Sequence, residues 1–399
     1  MNMAQVLLML VAVLMSAKIL GEIAERFRQP AVLGELLAGV ILGGSLLGIV
    51  QPEQEVVHVL AEIGVMLLLF EIGLETDLKR LLAVGPVAMT VACAGVILPF
   101  ALGVLVARAF DLGLVAALVA GAALTATSVG ITARVLSDLG RLKDPEGQVV
   151  LGAAVIDDVL GLIILAVIAR LVSGGTVGMN DVLWSTGTAF GFLALSLVVA
   201  PVLIPRLFAL LARIGREQTL PVMGLCLAFL LAVAAESAGS AMIVGAFTAG
   251  LVLQPTREAP AIRAGTVRLG QFFVPIFFVA VGAAVDARAF GEPGVLMLGL
   301  SLLAVAIVGK VLAGYAPWWF RGRKLLVGVA MVPRGEVGLI FAQMGLTAGA
   351  ISVSNYSALM VTIMGTTFFT PPVLKALVQG SRGAVDADVS GLTQLVTEA

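Results

Sequence analysis

Charge is what this 399-residue sequence has least of: Asp, Glu, Lys and Arg make up only 12% of it, about half their share in an ordinary soluble domain. So low a share excludes the solvated surface of a soluble protein. The 24 basic and 25 acidic residues leave a net charge of −1, which gives no basic field for nucleic acid. The two cysteines, Cys93 and Cys226, fall inside apolar segments and exclude a disulfide framework. The only histidine, His58, stands at the end of an apolar run, where a solvated residue is the default, so a histidine metal site is excluded too. No basic stretch precedes the first apolar run after "MNMAQ", and that run is read as a retained span, not a cleaved signal.

What the chain has instead is apolar length. Hydrophobic residues make up 60% of it, and its mean hydropathy is +1.11. A helix of about 20 residues crosses the hydrocarbon, and the many runs of that length favour helical spans over the alternating strands of a barrel. Thirteen spans are predicted, at about 3–21, 31–50, 56–74, 86–107, 112–136, 148–170, 181–204, 218–235, 239–254, 265–285, 294–316, 325–346 and 354–377. The expected fold class is an all-α polytopic membrane protein.

The basic residues test that count. Eighteen of the 24 Lys and Arg belong to breaks after odd-numbered spans or to the C-terminal tail; Arg108, Arg170 and Arg288 follow even-numbered spans, and Lys18, Lys310 and Arg334 lie within spans. By the positive-inside rule the N-terminus is outside and the C-terminus cytoplasmic. One span too many or too few would scramble this alternation.

Three pairs of short motifs recur on one alignment. "GELLAGVIL" (34–42) matches "GAFTAGLVL" (245–253), and "SVGIT" (128–132) matches "EVGLI" (336–340). Between them, "IGLETDLK", with Gly73, Asp77 and Lys79, matches "VGAAVDAR", with Gly282, Asp286 and Arg288. The offsets are 211, 209 and 208 residues. Seven spans separate the copies, so the second enters the membrane from the opposite side, as in the inverted repeats of secondary transporters.

Two spans carry helix-breaking chemistry at corresponding places. "LTATSVGITARV" offers the hydroxyls of Thr125, Thr127 and Ser128 to backbone groups; "AMVPRGEVGLI" contains Pro333, which has no N–H, and Gly335. Unwinding is expected at both, and free carbonyls there can coordinate a cation. Arg334 and Glu336 either compensate the partial charges of the opposed helix ends at such a site or form a structural pair that stabilises the break.

The segment "LGAAVIDDVLGLIILAVIA" (151–169) places two acids, Asp157 and Asp158, in an otherwise apolar run. Consecutive helix residues point about 100° apart, so the carboxylates cannot share one environment. Each must be protonated, paired or ion-bound at bilayer depth. Lys310 in "AVAIVGKVLAGY" is the natural partner for one of them. The trio forms either a proton-exchange centre or a static salt bridge with a spare protonated acid. Glu35, Glu62, Glu71 and Glu236 read as structural groups or cavity lining, and Lys18 can snorkel to the interface.

These motifs, with "RQPAVLGELLAGVILGGSLLG", "LLFEIGLETDLKRL" and "LGAAVIDDVLGLI", resemble the monovalent cation:proton antiporter-2 family, most of all its NapA-type bacterial sodium/proton antiporters, over residues 1–378. Gly44 departs from the family's frequent proline. The resemblance implies an NhaA/NapA-like fold with two broken crossing helices, in a homodimer. Scaffold and dimer spans would lie in 1–85 and 216–286, mobile core spans in 86–172 and 294–378, a linker span at 181–204 and a short cytoplasmic tail at 379–399. It further implies that Asp158 binds either sodium or a proton, that Asp157 pairs with Lys310 when sodium is absent, and that Thr127 and Ser128 lie beside the ion.

The function expected is electrogenic exchange of sodium or lithium for protons in a bacterial inner membrane. No cofactor is expected beyond the transported ions, no enzymatic activity, and no partner but the lipid bilayer and a second copy. A potassium/proton exchanger is the nearest alternative, but its thiol-regulated relatives usually have a Gln-Asp pair and a large soluble regulatory domain, which this chain is not expected to carry. An intramembrane aspartyl protease needs carboxylates facing each other from different helices, and adjacent residues fail that geometry. A doubly acidic site also argues against an organic-anion symporter.

Overall fold

The computed structural model describes residues 2–27, 29–52, 54–172, 219–238, 241–284 and 293–397, with positions 187, 191 and 195. Predicted span 7 otherwise falls outside the described residues, as do Asp286 and Arg288; of Glu336 the backbone alone is described. Among the described residues all regular structure is helical.

The chain opens with α1 (Met3–Arg26), whose N-terminus carries a capping box: Gln5 N donates to Asn2 Oδ1 and Asn2 N to Gln5 Oε1. Then follow α2 (Ala31–Leu42), α3 (Glu55–Glu75), the short α4 (Leu78–Ala83) and α5 (Gly85–Ala109). Predicted span 5 is two half-helices, α6 (Leu114–Ala123) and α7 (Val129–Asp138), and α8 (Pro145–Val172) carries the paired acids. Beyond residue 218 come α9 (Leu220–Ser237), α10 (Met242–Leu253), α11 (Ala259–Ala283) and α12 (Pro293–Tyr315). Predicted span 12 is also two pieces, α13 (Lys324–Ala330) and α14 (Glu336–Thr347), before α15 (Val353–Thr397).

Eight of the described helices have the length and apolar composition to cross a bilayer. Their outward faces are apolar as well: Leu7, Leu8, Val11, Met15 and Ile19 of α1 are all exposed, the surface a lipid-facing helix presents. Among the elements that differ from their predicted spans are α2 and α15. Span 2 was expected to be 20 residues, but α2 stops after 12, and at 1.5 Å per residue it reaches only about 18 Å of the roughly 30 Å hydrocarbon. Gly43 leaves the helix with extended backbone and Gly48 turns the chain at φ +64°. Hydropathy continues through "GGSLLGIV", so the sequence profile alone does not mark this end. Helix α15 runs on to Thr397, through the segment expected as a polar tail.

Packing repeats itself at the offset seen in the sequence. A Cβ on Gly34 of α2 would lie 2.1 Å from the Leu20 carbonyl oxygen of α1, and one on Gly245 of α10 the same 2.1 Å from that of Leu231 in α9. Likewise Gly39 meets Val279 O across α2 and α11, while Gly250 meets Phe70 O across α10 and α3. Helix backbones touch at these points, which only small residues permit. The residues of these two contacts thus recur at offsets of 209–211.

Candidate functional site

The two interrupted spans meet at their interruptions. Helix α6 ends at Ala123 and α7 begins at Val129; α13 ends at Ala330 and α14 begins at Glu336. Between them, Ser128 N donates to Pro333 O at 2.8 Å and Thr127 Oγ1 to Met331 O at 3.1 Å. Thr132, one turn into α7, donates Oγ1 to Ala330 O at 2.6 Å. Carbonyls orphaned by the end of α13 therefore find donors in the other break, as buried backbone groups must. Contact is close enough that a Cβ on Gly335 would lie 2.5 Å from Ser128 Oγ and 2.7 Å from Ser128 Cβ.

The predicted site residues divide by what their side chains do here. Thr125 is buried and returns its hydroxyl to Ala122 O at 2.7 Å, so it closes the end of α6. Thr127 bridges the two breaks, while the buried Ser128 Oγ has no hydrogen-bond partner among the described residues. Pro333 contributes its carbonyl to the crossing. Arg334 is fully buried and folds back, with Nη1 donating to Val332 O at 2.5 Å; its own carbonyl accepts from Thr367 Oγ1 on α15. A guanidinium thus sits at the C-terminal end of α13, where the helix dipole is negative.

Asp157 and Asp158 are buried on α8, which packs against all four half-helices. Lys310 of α12 reaches across to Asp157, with Nζ 3.0 Å from Oδ2 and no exposed side-chain surface on either partner. The lysine has room because α5 offers Gly95 opposite it: a Cβ there would lie 3.2 Å from Nζ. Within the pair, then, one acid is held by an ammonium, and the next lies about 100° further around the helix.

Thr132, Thr367 and Gly95 were not among the expected site residues. A signal for Thr132 existed, since it follows Ser128 by one helical turn. Nothing local marked Gly95 or Thr367, whose roles depend on which helix lies opposite. Glu35 and Glu71 line a cavity of about 660 Å³ bounded by α1, α2, α3, α7 and α11; Asp157 and Asp158 do not line it.

This architecture is that of an all-helical, multi-pass membrane protein organised around two crossed, interrupted helices. A family described as "Sodium/hydrogen exchanger, transmembrane" matches residues 9–380, and the chain belongs to that family. It is 39% identical to the "High-affinity Na(+)/H(+) antiporter NhaS3" of Synechocystis sp., covering 95% of this chain and 91% of that one. Against the "Na(+)/H(+)-K(+) antiporter GerN" of Bacillus cereus it is 32% identical, over 91% of this chain and 94% of the other. The solved structure of the sodium proton antiporter MjNhaP1 from Methanocaldococcus jannaschii superposes with a TM-score of 0.69 at 16% identity, over 94% of this chain and 98% of that one. That last likeness is one of fold.

Proposed function

We propose that the chain is a sodium or lithium/proton antiporter in which cation and proton compete for Asp158. The observation that carries this reading is the sealed Lys310–Asp157 pair, next in sequence to Asp158, on a helix touching all four half-helices of the crossing. A buried hydroxyl without a partner at Ser128, and carbonyls released from helical bonding, are groups a desolvated cation could use as ligands.

Competition follows from the cost of an unneutralised carboxylate at bilayer depth, at least about 3 kcal/mol. With either a proton or sodium on Asp158 the site can cross; bare, it cannot. Sodium arriving at Asp158 also draws on the field of Asp157, loosens its hold on Lys310 and lets the ammonium release its proton, so that more protons than sodium ions move per cycle. Residues 86–172 and 294–378 would then travel as one body, elevator-like, against 1–85 and 216–286. The scaffold would also form the homodimer, with 181–204 as linker and 379–399 as a cytoplasmic tail. Thirteen spans in two inverted repeats, the N-terminus outside and a bacterial inner membrane complete the proposal.

Potassium/proton exchange is the second reading, favoured by the potassium in the name of the Bacillus cereus relative. A proteoliposome assay separates them: sodium, lithium, potassium and an organic acid are added in turn while a trapped pH dye reports proton movement. Sodium and lithium should drive it in wild type, and Asp158→Asn should be silent. Normal sodium-driven exchange by Asp158→Asn would sink the assignment of the site, and a response to potassium alone would transfer the function to the second reading.

A further inference from the structure

The 660 Å³ cavity lies at the end of α7 remote from the crossing, with Arg134, Ser137 and Asp138 on its wall. Ser137 follows the break residue Ser128 by nine positions, about 13 Å of helix, so α7 leads from the cavity to the candidate ion site. Between the two, Phe277 and Val65 close against Gly130, where a Cβ would meet Phe277 Cε1 at 3.3 Å and Val65 Cγ2 at 3.4 Å. Apolar side chains thus stand between this cavity, the vestibule, and the candidate ion site.

Its charged groups are unevenly matched. Glu35 comes from α2, Glu71 and Glu75 from α3, Asp138 and Arg134 from α7, Lys18 from α1 and Arg268 from α11. Arg134 is held by Asp138, with Nε 3.1 Å from a carboxylate oxygen, and Glu75 is held by Arg263. Glu35 is different: only 7% of it is exposed, and its Oε2 is buried with no hydrogen-bond donor among the described residues. Such an acceptor is costly to leave empty.

We propose that Glu35 is a second, transit site for a monovalent cation or a proton, occupied between bulk water and Asp158. This rests on the antiport reading above. A carboxylate at the inner wall of a cavity with low-dielectric sides concentrates cations ahead of the apolar layer. Because a proton competes for the same oxygen, its occupancy falls as the solution on that side becomes more acidic. Lys18, Arg134 and Arg268 keep the vestibule from holding several cations at once.

An alternating-access carrier exposes such a cavity to one face of the membrane, which supplies the test. Sodium-driven exchange is measured in everted and right-side-out vesicles with wild type, Glu35→Gln and Glu35→Asp. Glu35→Gln should raise the apparent KM for sodium by about tenfold when sodium is on the cavity side and leave the opposite face within about twofold. It should keep maximal exchange and flatten the pH dependence of that KM, and Glu35→Asp should restore most of the affinity. An unchanged KM on both faces, or an equal rise on both, would overturn the proposal. If instead wild type moves no protons in response to sodium, it is the antiport reading that fails.

Discussion

Replacing Lys310 by glutamine removes an ammonium 3.0 Å from Asp157 Oδ2 and leaves the carboxylate without exposed surface. At that separation and an effective dielectric of about 20, the attraction is about 5–6 kcal/mol, set against several kcal/mol of lost hydration for each ion. The pair is thus worth little net, but breaking it from one side costs about 3–5 kcal/mol. Spread over an unfolding entropy of about 2 cal/mol/K per residue, that is a fall in Tm of about 4–6 °C for Lys310→Gln in detergent. Asp157→Asn should lose a similar amount, because the lysine is then the stranded charge. The double variant removes attraction and penalty together and should unfold within about 2 °C of wild type. If the double variant falls by the sum of the two single losses, the residues are not energetically coupled and the reasoning is wrong.

Other perturbations test the crossing and its surroundings. Gly335→Ala puts a methyl 2.7 Å from Ser128 Cβ, so the breaks must separate; thermal unfolding should show a loss of about 1–3 kcal/mol, and vesicle exchange should be abolished. Gly95→Ala presses on Lys310 Nζ from 3.2 Å, near the end of a flexible chain, and should leave stability within about 1 kcal/mol while changing the membrane-potential dependence of exchange in proteoliposomes. Thr132→Val deprives the buried Ala330 carbonyl of its donor and should lower stability by about 1–3 kcal/mol in the same unfolding assay.

The acids and breaks were legible because the membrane makes polar residues conspicuous. Asp157, Asp158 and Lys310 stand out in apolar runs, and few partners exist at that depth, so pairing is an expectation the sequence itself carries. The interruptions at Thr127–Ser128 and Pro333–Gly335 were legible from hydroxyls, a missing N–H and a glycine. What could not be read was which carbonyl each donor meets. Thr132 to Ala330 spans 198 residues, and only the crossing of α7 with α13 brings them together. The end of α2 was missed because burial against α1 and α11 replaces length as its source of stability, and hydropathy does not register that. Glu35 read as lining or structure, and its position facing a cavity depends on four other helices.

Competition at Asp158 is tested most directly by proton release on sodium binding, with no transport involved. Purified protein in weakly buffered detergent is given a pulse of sodium chloride, with choline chloride as control, and a pH dye is followed. Wild type is expected to acidify the solution in response to sodium but not choline, with Asp158→Asn losing the response. Undiminished proton release from Asp158→Asn would contradict the claim that one carboxylate exchanges the two ions.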